Sequence, residues 1–340
     1  MGNRPRRVLL VESWFEGSHR AWAEGIAHHS RHAVDLLTSE PAGWRRTIRQ
    51  SGARLAALVS AEPDVVLASS MLDLTAFLDA SGLRCPAILY LHENQLTYDR
   101  RRPDEELGRI NWRSARRADR IAFNSSFHRE DFLGAAARLG WEGVDEVRSR
   151  SVVVPVGIDS PPDDRTGRSG APAVLWNHRW EADKGPAAFG AALDSLADRD
   201  FRLILLGAGT SPIRTAIAER FGDRVLHNGH VPRPAYDRWL LRADVVVSTA
   251  RQEFFGVAVA EAMAAGAVPL VPDRLAYPEL LGPDLARYLY APGTLAGRLD
   301  DLLGDPAALA RDGDWARAAG RRFEWARVID SYDSLMASTS

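Results

Sequence analysis

The stretch VVVSTARQEFFGVAVAEAMAAGAVPLV, from Val245 to Val271, decides the fold. It begins with a short apolar run rich in β-branched residues, Val245–Ser248, and ends with a second such run, Val268–Val271. A turn with one glycine and a helical segment lie between the two runs. Two short β-rich runs joined by a helix are typical of a βαβ unit, whose strands are parallel. The stretch therefore predicts a parallel sheet with helices packed on it.

The same alternation continues on both sides of this stretch. It is interrupted at Ser160–Pro172, which has the composition of a linker. We therefore predict two doubly wound α/β domains in tandem, followed by helices from Leu295 to Met336 with a break near Gly304-Asp-Pro306. The other candidate strands are Val8–Val11, Val34–Leu37, Val65–Ala68, Ile88–Leu91, Ile121–Phe123, Val152–Val154, Val174–Trp176, Leu203–Leu206 and Val225–Leu226.

The domain bounds that we predict are 1–160 and 161–325, with a final helix at 326–340. Whether that helix returns to the N-terminal domain stays open. Parallel sheets of this kind bind ligands at the carboxyl ends of their strands, so we expect the site in a cleft between the two domains.

Composition restricts the class of protein. Of the 340 residues, 46% are hydrophobic and 26% are charged, which is typical of globular chains and excludes a disordered or fibrous one. No apolar run approaches about 18 residues, so we expect no membrane span and a cytoplasmic protein. The single cysteine, Cys85, excludes an internal disulfide and thiolate-based zinc or iron–sulfur sites.

The charge distribution is uneven. A net charge of −2 does not by itself indicate nucleic-acid binding. The segment Arg100–Arg129, however, contains nine arginines and only four acidic residues. This segment is either a solvated helix face or a surface that meets phosphates, and the sequence leaves both interpretations open.

The loop after the strand Val174–Trp176 carries an unusual pair of cations. Arg179 lies there beside Lys184, which is the only lysine among 43 lysines and arginines. An arginine can form two parallel hydrogen bonds to phosphate oxygens, and a lysine supplies a compact charge, so the pair favours a diphosphate ligand. The alternative is a surface pair salt-bridged to Glu181 and Asp183.

Two glutamates follow the strand Val245–Ser248. Glu253 lies in the turn Phe254-Phe255-Gly256, and Glu261 lies two helical turns further on. Carboxylates accept hydrogen bonds from sugar and ribose hydroxyls, and a tight turn at a helix start exposes backbone N–H groups. Together with the upstream cations, this pattern favours a nucleotide-sugar site.

Polar residues also end strands in the first half. His92, Glu93, Asn94 and Gln95 follow Ile88–Leu91, and we favour a functional role over a structural one. The segment Asn124-Ser125-Ser126 follows the next strand, where capping of a helix is favoured over ligand contact. Gly17 lies at the turn after the first strand, where it would serve a plain turn or a close approach to a ligand equally well.

These motifs together resemble a known family. Arg179, Lys184 and the pair Glu253 and Glu261 resemble retaining glycosyltransferases of family 4, which have the GT-B fold of two Rossmann-like domains facing a central cleft. More narrowly, the tRNA-queuosine α-mannosyltransferases are similar from about Val8 to about Tyr290. A departure is Glu16, where a second glycine is expected. The segments that carry the narrower resemblance are Trp176–Lys184, Leu91–Gln95, Gln252–Val257 and Phe15–His19.

The resemblance implies a donor site in the C-terminal domain for a nucleotide sugar, GDP-mannose. Arg179 and Lys184 would neutralise the diphosphate, Glu261 would hold the ribose, and Glu253 would hold the transferred sugar. It also implies retention by front-face displacement, with His92 positioning the sugar, and no metal ion or cofactor. The remaining donor contacts would be Gly17, His230 beside the base, and the backbone of Phe254, Phe255, Gly256 and Val257.

For the acceptor, the resemblance implies the cyclopentene-diol of queuosine in the anticodon of tRNA, of the tRNA-Asp type, bound by the N-terminal domain. The alternatives are a family 4 enzyme for a small-molecule, glycan or lipid acceptor, and a non-catalytic nucleotide-sugar or RNA-binding module. The candidate acceptor contacts are His19, Glu93, Asn94, Gln95 and Asn124, with Arg101, Arg102, Arg113 and Arg116 on the tRNA phosphates.

Overall fold

The computed structural model describes residues 4–41, 43–99, 104–162 and 170–339. The chain divides into two units. The first consists of Met1–Gly157 together with Trp325–Ser340, and the second consists of Ile158–Glu324. The second unit is therefore inserted in sequence between the main part of the first unit and the segment from Trp325 onwards, which belongs to the first unit.

The first unit is built on one sheet, whose described strands run in the order β2-β1-β3-β4-β5-β6 with every neighbouring pair parallel. These strands are β1 (Arg7–Glu12), β2 (Ala33–Thr38), β3 (Val65–Ser69), β4 (Ala87–Leu91), β5 (Arg120–Phe123) and β6 (Ser151–Val153). Every residue of β3 and β4 is buried, as expected for central strands of a parallel sheet. The strand order reverses between β1 and β3, and such a reversal marks the ligand-binding edge of a doubly wound sheet.

Side-chain caps set the start of several helices in this unit. The helices described there are α1 (Gly17–His29), α2 (Trp44–Ala56), α3 (Leu74–Ser81), α4 (Glu105–Arg117), α5 (Ser126–Arg138), α6 (Val144–Ser149) and α14 (Trp325–Ser338). Asp73, Asp104 and Ser125 accept backbone N–H groups in the first turns of α3, α4 and α5. Since these N–H groups have no partner within the helix, the caps favour helix starts at these residues. The cap that Ser125 was expected to form is confirmed.

The second unit repeats the architecture. Its described strands run in the order β12-β11-β10-β7-β8-β9, again all parallel, and the order reverses between β7 and β10. The strands are β7 (Ala173–Trp176), β8 (Arg202–Leu205), β9 (Val225–Asn228), β10 (Val245–Val247), β11 (Val268–Pro272) and β12 (Leu289–Tyr290). The helices are α7 (Pro186–Asp194), α8 (Pro212–Phe221), α9 (Arg233–Arg242), α10 (Val257–Ala264), α11 (Tyr277–Leu281), α12 (Leu295–Leu303) and α13 (Pro306–Arg321), with 3₁₀ turns at Ala182–Lys184, Gly222–Arg224 and Pro283–Tyr288.

The α/β class with two doubly wound parallel sheets is confirmed. All eleven predicted strands are present, and their ends differ from the prediction by at most two residues. The strand β12 was missed because two residues give no periodic signal. The predicted helix break near Gly304 separates α12 from α13, and a second break, between Arg321 and Trp325, precedes α14. Within the part of the chain that the structure describes, no helix has the length and apolar character that a membrane crossing requires.

Candidate active site

In the second unit, the loops after β7 and β10 bring together four charged side chains, Arg179, Asp183, Lys184 and Glu253, which we call the lysine cluster. Lys184 Nζ lies 3.1 Å from Glu253 Oε2 and donates to the backbone oxygen of Gln252 at 3.3 Å. The two side chains are only 14% and 17% exposed. Folding thus joins two predicted site residues that are 69 positions apart in sequence.

The close approach of the two loops depends on Gly185. Its φ of +68° lies in the left-handed region, and a Cβ there would lie 2.5 Å from the backbone oxygen of Thr249. Thr249 Oγ1 hydrogen-bonds the backbone oxygens of Lys184 and Gly185, at 2.9 and 2.8 Å. Only glycine fits this contact, which fixes Lys184 against the loop that carries Glu253.

Glu253 is held from two sides. Its Oε1 accepts the backbone N–H groups of Phe254 at 3.2 Å and Phe255 at 3.4 Å, while Oε2 faces Lys184. Burial raises the pKa of Glu253, but the Lys184 ammonium and these hydrogen bonds outweigh burial, so the pKa lies below its usual value. The carboxylate is therefore charged. Two of the backbone N–H groups expected to face an anion, those of Phe254 and Phe255, are bound by Glu253 itself.

Arg179 has the ion pairs of the alternative interpretation. Its guanidinium lies 3.2 Å from Glu181 and 3.6 Å from Asp183, and the side chain is 49% exposed. Asp183 is also 3.8 Å from Lys184 Nζ. An exposed pair such as Arg179–Glu181 contributes about 0–1 kcal/mol. A diphosphate could therefore replace Glu181 at little cost, and the two interpretations are compatible.

Glu261, on α10, is buried against two residues that the sequence analysis missed. Arg233 Nη1 donates to its Oε1 at 2.5 Å, and the Tyr236 hydroxyl donates to its Oε2 at 2.9 Å. Burial raises the pKa of Glu261, and Arg233 and Tyr236 only partly oppose it. Asn177 Nδ2 in turn donates to the Tyr236 hydroxyl at 3.1 Å. The predicted base contact, His230, lies exposed in the turn just before α9.

In the first unit, Glu12, His19, His92 and Glu93 form what we call the histidine cluster. His19 lies in the first turn of α1, which begins at Gly17 with a φ of +52°. His19 Nδ1 lies 3.0 Å from Glu12 Oε2, and its Nε2 lies 3.4 Å from Glu93 Oε2. Burial lowers the pKa of His19, but the two carboxylates outweigh burial and raise it to about 10. His19 is therefore an imidazolium at neutral pH.

The ring of His92 lies against that imidazolium, with centroids 4.3 Å apart, and edge-on to Trp22 at 4.5 Å. Burial and the charge on His19 hold the pKa of His92 well below its usual value. Its Nε2 is buried and has no hydrogen-bond partner among the described residues. His92 is thus a neutral imidazole with an unused hydrogen-bonding atom at the end of β4.

The amides predicted to bind the acceptor hold the loops of this unit. Asn94 Oδ1 accepts the N–H and hydroxyl of Thr97 at 2.9 and 3.0 Å. The backbone N–H of Gln95 donates to Asn111 at 2.8 Å. Asn124 Nδ2 donates to the backbone oxygen of His92 at 2.7 Å, which fixes the end of β4. Roles for these side chains in binding an acceptor stay predictions.

The predicted arginine surface is described only in part. Arg101 and Arg102 lie outside the described residues. Arg113, on α4, hydrogen-bonds the buried carboxylate of Asp73 through Nε at 3.2 Å, and Arg116 is exposed near the end of the same helix. Arg109 is ion-paired with Glu105 at 2.5 Å. The helix therefore presents both paired and exposed guanidinium groups.

Among the described residues, one group could offer three metal ligands. Glu12, His19 and His92 bring one donor atom each to within 4.8 Å of the others. Both ring nitrogens of His19, however, face carboxylate oxygens at hydrogen-bonding distances, and a charged imidazolium has no lone pair for a metal. We therefore describe the group as a hydrogen-bonded network.

Comparison with known proteins identifies the family. Residues 7–158 match a family model described as "tRNA-queuosine alpha-mannosyltransferase N-terminal", and residues 164–319 match "Glycosyl transferases group 1". A tRNA-queuosine alpha-mannosyltransferase of Drosophila melanogaster is 31% identical over 308 residues, which cover 80% of this chain and 81% of the fly protein. The chain belongs to the tRNA-queuosine alpha-mannosyltransferase family. It is thus a glycosyltransferase, as the motifs predicted.

Solved structures confirm the fold of this family member. The HepE protein of Anabaena, solved with UDP and glucose, superposes with a TM-score of 0.74 at 20% identity and covers 98% of this chain and 100% of its own. Sucrose-phosphate synthase of Thermosynechococcus elongatus gives a TM-score of 0.76 at 18% identity, with 98% of each chain covered. At these identities the likeness establishes the fold only.

Proposed function

We propose that this glycosyltransferase moves a mannosyl group from GDP-mannose to the cyclopentene-diol of queuosine in a tRNA anticodon, of the tRNA-Asp type. We further propose that the reaction retains configuration, needs no metal ion, and takes place in the cytoplasm, where such a tRNA would be its partner. The observation that carries the proposal is the part-buried Lys184–Glu253 pair at the strand reversal of the second unit, in a chain of this family.

The lysine cluster would bind the donor. Lys184 and Arg179 would neutralise the diphosphate, with Arg179 exchanging its exposed partner Glu181 for phosphate oxygens. Glu253 would accept hydrogen bonds from the hydroxyls of the transferred sugar, because its charge and orientation are fixed by Lys184 and the turn that follows it. Two cations beside the leaving group support a reaction without a metal ion.

Glu261 would hold the ribose of the donor. Its carboxylate oxygens each accept one hydrogen bond from the protein, from Arg233 and from Tyr236. A carboxylate oxygen has a second lone pair, so both oxygens could also accept a ribose hydroxyl. Burial of Glu261 supports this assignment, since a buried acceptor discriminates strongly between a hydroxyl and its absence.

The chemical step that we propose is a front-face displacement. The oxygen of the acceptor hydroxyl bonds to the anomeric carbon of mannose while the bond from that carbon to the phosphate oxygen breaks. The proton of the hydroxyl passes to the departing phosphate, so GDP leaves and no covalent enzyme intermediate forms. Neutral His92, which is 9% exposed at the end of β4, would contact the reacting sugars and hold them in place.

One incubation tests the proposal. The purified protein and queuosine-containing tRNA are incubated with one donor at a time: GDP-mannose, GDP-glucose, UDP-glucose or UDP-galactose. Each reaction is run with and without EDTA, and the nucleosides are then analysed by mass spectrometry. A hexose mass gain on queuosine with GDP-mannose alone, unaffected by EDTA, is expected. A mass gain from a UDP-sugar would contradict the assignment of GDP-mannose as donor. Loss of the mass gain in the presence of EDTA would contradict a metal-independent reaction, and no mass gain with any donor would favour a different acceptor.

A further inference from the structure

One residue of the histidine cluster, Glu12, has no role in the reaction proposed above. Glu12, the last residue of β1, is completely buried, so it cannot touch a substrate. Its Oε1 accepts the backbone N–H of Trp14 at 2.8 Å, and its Oε2 faces His19 Nδ1. Both oxygens of the Glu12 carboxylate are therefore occupied by partners within the protein.

We propose that Glu12 is a positioning residue that acts through His19, whose ring holds the Glu93 carboxylate and the His92 imidazole in place for the acceptor hydroxyls. The inference rests on the proposed transfer to a diol. In addition, Glu12, at the buried end of this network, would fix the positions of the side chains that meet the acceptor.

The charge on His19 follows from its geometry. Each ring nitrogen lies within 3.4 Å of a carboxylate oxygen, and an ionised carboxylate can only accept a hydrogen bond. Both nitrogens must therefore carry protons, which makes the ring an imidazolium with no rotational freedom. The raised pKa of about 10 for His19 agrees with this assignment. A ring bound at both ends transmits the position of Glu12 to Glu93.

Glu93 is the open end of the network. Its side chain is 18% exposed, whereas that of Glu12 is 0% exposed. Two carboxylates and one imidazolium leave a net charge of −1, and the free lone pairs of Glu93 can accept hydrogen bonds from vicinal hydroxyls. A cationic group on the acceptor would find the same excess charge favourable.

His92 is fixed by the same network. A second imidazolium 4.3 Å from His19 would be repelled, so His92 stays neutral and presents an uncharged ring to the substrate. Its backbone oxygen is bound by Asn124. The titratable side chains that face His92 are His19, His128 and Tyr90.

Stability alone does not account for this arrangement. Replacing a buried ion pair by well-packed apolar side chains of similar volume is often neutral or stabilising. A buried carboxylate–imidazolium–carboxylate chain that ends beside an unpartnered imidazole nitrogen is consistent with a site that has been prepared for a ligand. The neighbouring rings of Trp22 and Tyr90 would suit an apolar alternative.

The test compares Glu12→Gln with Glu24→Gln, an exposed glutamate of α1 that is ion-paired only with Arg20 in the described network. We expect Glu12→Gln to lower kcat for transfer by about 10²-fold, with the KM for the donor changed less than twofold, and Glu12→Asp to recover part of the loss. Glu24→Gln should behave as wild type. GDP binding and the thermal unfolding midpoint confirm that each variant is folded.

The pH profile separates positioning from a structural role. In wild type, His19 stays charged from pH 6 to 9, so its titration adds no limb to the rate profile there. In Glu12→Gln the imidazolium loses one carboxylate, its pKa falls, and the rate should decline at a lower pH than in wild type. A folded Glu12→Gln variant with wild-type kcat and an unchanged profile would overturn the inference while the transfer activity of wild type stands.

If Glu12→Gln does not fold, ¹⁵N NMR of the wild-type histidines provides the decision. We expect both ring nitrogens of His19 to be protonated, and His92 to be neutral, throughout pH 6 to 9. A neutral His19 at pH 7.5 would refute the network. A stoichiometric metal ion in the purified protein whose removal changes the His19 and His92 signals would also refute it, whereas absence of any transfer by wild type counts against the proposed function instead.

Discussion

The lysine cluster and the histidine cluster both hold a cation beside carboxylates, but they differ in how firmly the cation is held. Each lies at the strand reversal of its own sheet, and each holds a buried carboxylate beside a cation. In the lysine cluster the Lys184 ammonium is on a flexible stem and faces the part-buried carboxylates of Glu253 and Asp183, while the neighbouring Arg179 has an exposed partner, Glu181, that a ligand can displace. In the histidine cluster the cation is a rigid ring closed between two carboxylates. The first arrangement suits exchange of an anion, and the second suits fixed geometry.

The largest effect is expected for Lys184→Ala. The substitution removes a cation that the proposal places at the diphosphate, and it leaves Glu253 buried without its ion-pair partner. We expect kcat/KM for mannosyl transfer to fall on the order of 10³-fold, while the affinity for tRNA stays within twofold. Initial rates and a filter-binding assay measure the two effects.

Arg220→Ala is the matched control for Lys184→Ala. Arg220 is an exposed cation of the second unit, ion-paired with Asp194 at 2.6 Å, and its loss should leave transfer unchanged. Full activity in folded Lys184→Ala would show that the lysine cluster does not bind the leaving group.

A second comparison concerns pH. His128 in the first unit and His178 in the second are both buried, and burial lowers the pKa of each to about 3. An unfolded histidine has a pKa near 6.5, so the unfolded state binds a proton below that pH and the folded state does not. The stability that each contributes is present above pH 6.5 and is lost as the pH falls. Between pH 6.5 and 5 the loss is about 2 kcal/mol for each histidine.

His178→Phe isolates the histidine of the second unit. The variant should lose about 2 kcal/mol less than wild type when the pH falls from 6.5 to 5, as measured by urea unfolding. His28→Phe, at an exposed position of α1, is the control and should lose as much as wild type. Equal losses in wild type and His178→Phe would mean that His178 is not held neutral. His19 behaves oppositely, because its raised pKa places its loss of stability above pH 6.5.

The sequence was informative where chemistry and pattern coincide locally. The strands were predictable because short β-branched runs alternate with helical segments. The loop positions of Lys184 and Glu253 were predictable because both residues follow strands, whereas their roles stay predictions. Glu12 was missed because it is the last residue of an apolar strand, where a polar residue normally marks the start of an exposed loop. Arg233 was missed because it meets Glu261 only after α9 and α10 pack, 28 positions apart in sequence. Pairs of this kind need the tertiary structure, since no local period encodes them.

Tyr236→Phe sharpens the assignment of Glu261 with a smaller effect. The substitution removes one hydrogen bond to the carboxylate and one of two acceptors of Asn177 Nδ2, but it keeps the ring. A hydrogen bond to a charged group contributes about 1.5–3 kcal/mol, so we expect the KM for the donor to rise about ten- to a hundredfold with kcat nearly unchanged. Steady-state kinetics at saturating tRNA measure this. A fall in kcat with unchanged KM would place Tyr236 in the chemical step instead.

The smallest effect is expected on the helix α4. Arg113 is bound to the buried carboxylate of Asp73, so its loss would disturb the fold, whereas Arg116 is exposed and is the cleaner probe. If Arg116 contacts one phosphate, Arg116→Ala should weaken tRNA binding a few-fold and reduce the slope of log affinity against log salt by about 0.7–0.9. Arg202→Ala, at an exposed arginine of β8, is the control. An unchanged slope would assign this face of α4 to solvent, and it would leave the histidine cluster as the acceptor site to be tested by kinetics alone.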